Sequence, residues 1–226
     1  MRELFHIRLG SERYGSVLDL QQRLRRLRIK GGVPDLILSV EHDPVITLGR
    51  QGGEEHILAS RRVLERLQVE VQKVERGGDV TYHGPGQLVV YPILDLRGWG
   101  RDLRRYVANL EEVMLRTARH FGVEAHRKPE FPGIWIGLQK LGFVGVHVRR
   151  WGTMHGMALN VDLSPNLFSL IVPCGLHGVD AISLADVCDS PVDVHEAETA
   201  ALRELAEVFD VKVSTVGREE LARWVR

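Results

Sequence analysis

Two cysteines in 226 residues are too few for a disulfide framework, and Cys174 and Cys188 form no Cys-x-x-Cys pair to hold zinc. Lysine is scarce too. Lys30, Lys73, Lys128, Lys140 and Lys212 are the only lysines among 30 basic residues; the others are arginine. An excess of charge is absent, since 30 acidic residues balance the basic ones. A neutral chain does not bind nucleic acid or a membrane surface through its overall field. No apolar run approaches the roughly 18 residues that span a bilayer. The first ten residues, Met1 to Gly10, alternate apolar and polar and lack the apolar stretch of a signal peptide. There is no Walker-type phosphate loop, no Gly-x-Gly-x-x-Gly leading from a strand into a helix, and no His-Glu-x-x-His. His147 and His155 merely flank Arg149-Arg150-Trp151. What survives these exclusions is a cytoplasmic enzyme with free thiols, without metal or cofactor.

The chain is 44% hydrophobic, enough to bury the core of a single domain spanning residues 1–226. Leu4–Leu9 alternates as a strand does, and Ser16–Ile29 places Val17, Leu20, Leu24 and Leu27 at helical spacing. Leu36–Val40 and Val45–Leu48 read as strands around the turn Glu41-His42-Asp43-Pro44, and Ile57–Leu67 as a short helix. Leu103–Phe121 carries a long helical stripe that Gly122 ends. A β-rich stretch follows at 134–136, 141–148 and 157–161, then helices over Ala197–Phe209 and Glu219–Val225. Helices and strands mix without strict alternation, so the pattern predicts α+β with a mixed, mainly antiparallel sheet.

The densest chemistry lies in Arg76-Gly77-Gly78-Asp79-Val80-Thr81-Tyr82-His83-Gly84-Pro85-Gly86-Gln87, which runs into Leu88-Val89-Val90-Tyr91. Its four glycines let a ligand approach the main chain closely. Arg76, Thr81, Tyr82, His83 and Gln87 supply polar heads. A plain hairpin turn needs none of this variety, so the segment reads as a substrate-binding loop.

Cys174 stands in Val172-Pro173-Cys174-Gly175, a frame that bends the chain around the thiol and suits a nucleophile. Free cysteines are more often inert and buried, and Cys188, without such a frame, reads as structural. A nucleophilic cysteine needs help to ionise. His177 offers one helper, giving a cysteine-hydrolase arrangement. Lys140, at the start of the run Leu141-Gly142-Phe143-Val144-Gly145, offers the other if it is desolvated rather than turned to solvent.

Together these pieces resemble the octanoyltransferases of lipoate biosynthesis. The likeness rests on the 76–87 motif, on Lys140 with Phe143-Val144-Gly145, on Thr153-Met154-His155-Gly156-Met157-Ala158-Leu159-Asn160, and on Val172-Pro173-Cys174-Gly175. Glu41-His42-Asp43-Pro44-Val45 with Leu48-Gly49 fits too. The resemblance implies a fold similar to the biotin protein ligase and lipoate ligase catalytic domains. It implies transfer of an octanoyl group from acyl carrier protein to a lysine of lipoyl domains, those of 2-oxoacid dehydrogenases and the glycine cleavage H protein. Cys174 would carry the acyl group as a thioester, assisted by Lys140. Arg76, Gly77, Gly78, Asp79, Val80, Thr81, Tyr82, His83, Phe143, Val144, Gly145, Gly156, Met157 and Ala158 would line the substrate site. The competing readings are an ATP-dependent lipoate or biotin ligase, the Cys174–His177 hydrolase, and a non-catalytic acyl-binding module. Arg149-Arg150, and after them Arg101, Arg104 and Arg105, are the candidates for meeting an acidic carrier protein.

Overall fold

The computed structural model describes residues 2–176 and 178–225. Strand β1 (Arg2–Glu12) leads into helix α1 (Tyr14–Ile29), then to β2 (Leu36–His42) and β3 (Val45–Leu48). Helix α2 (Arg61–Arg66), β4 (Glu70–Lys73), β5 (Val80–His83) and β6 (Gln87–Ile93) follow. Helix α3 (Leu103–His120) precedes β7 (His126–Arg127), β8 (Gly133–Ile136), β9 (Gln139–Arg149) and β10 (Gly152–Asn160). The chain closes with α4 (Val194–Phe209), β11 (Val211–Thr215) and α5 (Arg218–Trp224).

Eight strands form one sheet in the order β11-β1-β2-β6-β10-β9-β8-β7. Its pairs are antiparallel except β1 with β11 and β1 with β2. A second sheet, β4-β3-β5, lies on one face. The fold is α+β with a mixed, mainly antiparallel sheet. Among the described residues, no helix is long and apolar enough to cross a membrane.

The period-two alternation of the central strands builds two cores, one on each face. Ile37, Leu88, Val90 and Leu159 point toward α3 and α4, where they meet Leu110, Val113, Met114, Ala201 and Leu205. Leu36, Leu38, Val89, Ile93 and Ala158 point the other way, toward α1 and the small sheet, against Val17, Leu24, Ile46, Leu48 and Val80. Helix α3 starts at Asp102, whose side chain accepts from the Arg105 N–H at 2.9 Å. That pairing satisfies a donor which has no partner inside the helix.

Three sequence expectations shift. Glu41 and His42 extend β2 rather than forming a turn, and β2 and β3 go to different sheets. The helix expected over Ile57–Leu67 shrinks to Arg61–Arg66, because Ile57 forms a β-bridge with Ile171 and Ser60 caps the helix behind it. Tyr82 faces the core, as described below.

Candidate active site

A cavity of about 390 Å³ opens between the small sheet and strands β9 and β10. That is within the range of small-molecule sites. It is walled by the 76–79 loop, by Thr81 and His83 of β5, by Phe143 and Gly145 of β9, by Gly156–Ala158 of β10, and by Lys140 and Cys174. Fifteen of the sixteen residues singled out from the sequence line this one cavity. Tyr82 does not. It alternates to the other side of β5, 1% exposed, and packs edge-on against Phe168 at 6.0 Å.

Lys140 Nζ lies 3.4 Å from Cys174 Sγ. Lys140 is only 3% exposed, so the solvent-pointing lysine that strand entry usually gives is not what forms. The cause is a β-bulge. Ile134 pairs with Gly142 and Trp135 with Lys140, leaving Leu141 as the extra residue on β9. Leu141 belongs to the α3 core and Phe143 to the opposite one, so the bulge resets the alternation and turns Lys140 to the Phe143 side. Its ammonium sits 4.9 Å above the Trp135 ring and 5.1 Å above that of Phe143. Aromatic faces attract such a cation, so they hold it without a carboxylate competing for it. The backbone is held as well: Lys140 N–H donates to Asp180 O at 2.8 Å and Lys140 O accepts from Ile182 N–H at 3.1 Å.

Cys174 is half-buried and adopts the left-handed conformation, φ 56° and ψ 20°. A side chain there costs on the order of 1–2 kcal/mol, which the surrounding turn must offset. Gly175 N–H donates to Val172 O at 2.9 Å and Leu176 N–H to Pro173 O at 3.0 Å. Gly175 also has positive φ, and a Cβ there would collide with the Asp79 carboxylate. Only glycine fits behind the thiol. His177, the partner a hydrolase would need, lies outside the described residues.

Arg76 is buried beside this pair. Its guanidinium donates to Thr47 O at 2.7 Å and Thr47 Oγ1 at 2.9 Å, and also to Gly77 O at 3.1 Å. Among the described residues it makes no ion pair with a carboxylate, and burial lowers its pKa. Gly145 makes room for it, because a Cβ there would lie 3.0 Å from Arg76 Cδ. The loop itself is tied to β9 by Gly77 N–H donating to Val146 O at 2.9 Å.

The floor is histidine and tyrosine. His83 bonds Gln87 Oε1 through Nδ1 at 2.7 Å, and Gln87 donates to Asn160 Oδ1 at 2.9 Å. Burial pushes His83 down to about 3, so its ring is neutral. His155 is pushed down to about 3 by burial and, secondly, by the Arg76 charge. It takes positive φ within β10 because its N–H turns aside to Gln21 Oε1 at 2.7 Å on α1. His155 Nε2 and Thr81 Oγ1 are buried with no hydrogen-bond partner among the described residues. Tyr14, Tyr91 and His155 were not predicted as site residues. His155 sits inside the 153–160 motif, but Tyr14 and Tyr91 carry no signal in the sequence that separates them from core aromatics.

A thiol beside a buried lysine in the wall of a cavity on this mixed sheet is the arrangement to set against known proteins. A profile of the lipoyl protein ligase A/B catalytic domain matches residues 13–206. An octanoyltransferase of Solibacter usitatus is 44% identical over 214 residues, covering 94% of this chain and 96% of that one. The bi-partite lipoate protein ligase of Thermoplasma acidophilum superposes with a TM-score of 0.74, covering 99% of this chain and 91% of that one at 16% identity. A biotin protein ligase from Aquifex aeolicus gives a TM-score of 0.52 at 12% identity, over 93% and 70% of the two chains. The chain belongs to the octanoyltransferase family, and it is an acyltransferase.

Proposed function

We propose that the protein, acting as one catalytic domain over residues 1–226, transfers an octanoyl group from acyl carrier protein to a lysine of a lipoyl domain, with Cys174 as nucleophile and Lys140 as proton carrier. The observation that carries this is the 3.4 Å approach of Lys140 Nζ to Cys174 Sγ at the wall of the cavity. Lys140 holds the thiol's proton as an ammonium, and the Cys174 thiolate attacks the thioester carbonyl. The carrier's C–S bond breaks, and the departing carrier thiolate takes the proton back from Lys140. In the second half the acceptor amine attacks the Cys174 thioester and loses a proton to Lys140. The amide forms and Cys174 leaves as a thiolate beside the ammonium.

Exchange of one thioester for another is nearly balanced, and amide formation drives the sequence. No ATP is consumed, because the acyl group arrives activated. With the Gly77 N–H committed to Val146 O, the backbone N–H groups of Gly78 and Gly145 in the cavity wall are the candidates for the oxyanion. Seven carbons buried at ~0.8 kcal/mol each give ~5–6 kcal/mol of gross binding. That excludes acetyl groups, while one methylene more or less is worth only ~1–3 kcal/mol. The cytoplasm, where thiols stay reduced, suits such a nucleophile.

Acceptors would be lipoyl domains of 2-oxoacid dehydrogenases and the glycine cleavage H protein. Acyl carrier proteins are acidic, and exposed Arg50, Arg149 and Arg150 form a basic rim that suits one. Arg50 N–H donates to Arg76 O at 3.0 Å, and its guanidinium lies 3.5 Å from His147 Nδ1, two residues before Arg149 on β9. That supports the Arg149-Arg150 side over Arg101, Arg104 and Arg105 at the start of α3.

The test is intact mass after mixing with octanoyl-carrier protein, without ATP. The parent should gain one octanoyl group and pass it to added apo lipoyl domain, while Cys174→Ala gains none. A parent that takes up nothing and yields no octanoylated lipoyl domain would overturn the proposal.

A further inference from the structure

His56 appears in none of the sequence motifs that point to the site, yet it joins three of the site's parts. Its Nδ1 lies 2.8 Å from Asp79 Oδ1. Its carbonyl accepts from Val172 N–H at 2.8 Å, two residues before the nucleophile. The next residue, Ile57, forms an antiparallel bridge with Ile171, and Leu58 N–H and Ala59 N–H both donate to Leu170 O at 2.9 and 3.1 Å. The 56–59 segment therefore runs as a short ladder alongside the approach to Cys174.

Asp79 sits at the other end of the link. One carboxylate oxygen takes the His56 ring and the Val80 N–H, the latter at 2.6 Å. The other oxygen lies against Gly175 Cα, where any Cβ would strike it, and the His56 ring edge is 3.3 Å from the same point. The left-handed turn at Cys174 and Gly175 is thus backed at Gly175 by the Asp79–His56 pair and met at Cys174 by Lys140. A left-handed cysteine keeps its conformation only while its surroundings enforce it. The Asp79 hydrogen bond also raises the pKa of the imidazole, so the charged form that pairs best with the carboxylate is favoured.

We propose that His56 is a positioning residue of the acyl-transfer site: by holding Asp79 against Gly175 with its side chain, and Val172 with its carbonyl, it fixes the turn that presents Cys174 to Lys140. This rests on Cys174 being the nucleophile. His56 does not line the cavity and acts through the turn. Asp79 bridges it to the cavity wall.

The experiment compares parent, His56→Ala, His56→Asn and Asp79→Asn in two assays. The first is octanoyl transfer, resolved into kcat and KM. The second is the rate at which iodoacetamide alkylates Cys174 at pH 7, followed by peptide mass with Cys188 as internal reference. His56→Ala should lower kcat by roughly tenfold or more with KM within about threefold, since small misplacement of a reacting group has effects of that size. It should also slow alkylation of Cys174 but not of Cys188, because the thiol loses its fixed place beside Lys140. Asn carries an amide donor where the imidazole has Nδ1, so His56→Asn should recover most of both rates. Asp79→Asn should fall on the side of His56→Ala. A melting temperature close to the parent's excludes general unfolding for each variant. If His56→Ala misfolds, the contrast of His56→Asn with Asp79→Asn decides alone: Asn tracking the parent upholds the assignment, and equal loss in both overturns it. His56→Ala alkylated at the parental rate, or His56→Asn no better than Ala, also overturns it. Failure of the covalent route appears separately, as a parent that transfers undiminished after Cys174→Ala.

Discussion

Both faces of the eight-stranded sheet bury charged and polar side chains, and a cluster against α4 treats them differently from the cavity wall. On the α4 face, His6 Nε2 lies 2.7 Å from Ser39 Oγ and its Nδ1 3.0 Å from Thr215 Oγ1. Ser39 donates to Glu198, and Arg8 forms an ion pair with the same carboxylate. Every group in that cluster has a partner. On the cavity face, Arg76 pairs with no carboxylate among the described residues, and His155 Nε2 and Thr81 Oγ1 make no hydrogen bond. A buried polar group without a partner costs free energy in the folded chain. The α4 cluster contributes to stability; the cavity face gives up stability and keeps hydrogen-bonding capacity for something that is not protein. The Ser39–His6 contact resembles a hydrolytic pair, but the carboxylate binds the serine and not the far imidazole nitrogen, so it is a packing network.

The contrast is broken most sharply at Lys140. Lys140→Met keeps the aromatic packing and removes the proton carrier, so octanoyl transfer should fall by ~10²–10⁴-fold, the usual scale for losing a general acid–base. Thermal stability should hold or rise, since a buried ammonium is desolvated in the parent. Transfer within tenfold of the parent would remove Lys140 from the chemistry. Glu198→Gln is the converse. It should leave kcat and KM unchanged and cost about 2 kcal/mol, the scale of hydrogen bonds to a charged group. For a chain of this size that is a drop of roughly 4–8 °C in melting temperature. A loss of activity at constant stability would mean that the α4 face is not purely structural. Arg76→Met returns to the cavity: transfer falls by about tenfold while stability changes by less than about 1 kcal/mol in either direction, because a buried charge without a counter-ion stabilises little. A large loss of stability would show that the bonds to Thr47 matter more than readiness for a ligand.

Much of the fold was legible. The helix expected over 103–121 matches α3 within a residue and the one over 197–209 begins three residues into α4, because their apolar stripes are long and Gly122 marks the end of the first; the caps Asp102 and Asp193 went unread. What escaped were contacts between distant segments: the parallel pairing of β1 with β11, and the Ile57–Ile171 bridge that displaced the start of α2. In the site, the glycine-rich loop and the framed cysteine stand out because their residue types are wrong for a core. The orientation of Lys140 could not be read, since a bulge of one residue at Leu141 decides which face it takes and leaves no mark in composition. Tyr82 was misplaced for a similar reason: inside a four-residue strand, alternation alone assigns it to the core. His56 sits before an apolar run with no motif around it, and only the fold reveals its link to Asp79.

Acid separates the two faces by pH window: both lose stability as pH falls, and they differ in where the loss begins. His155 has a folded pKa of about 3 against an ordinary 6.5, set by burial first and the Arg76 charge second. Between those values the unfolded chain holds a proton that the folded chain refuses, so stability falls as pH drops below 6.5 and the loss is complete near 3. Burial alone would raise the Glu198 carboxyl, but hydrogen bonds from His6, Arg8 and Ser39 outweigh it and hold it at about 2. Its contribution is present above about 4.5 and is lost only as pH falls from there toward 2. At pH 5.5 the α4 face is therefore intact while each neutral buried histidine of the cavity face already costs about 1.4 kcal/mol. His83 and His42, pushed by burial to about 3 and about 4, share that window. Denaturant unfolding at pH 7.5 and 5.5 should show His155→Phe losing about 1.4 kcal/mol less than the parent between the two, and Glu198→Gln losing as much as the parent. Equal losses in parent and His155→Phe would mean that His155 is not held neutral, and that the cavity floor accepts a proton as readily as solvent gives it.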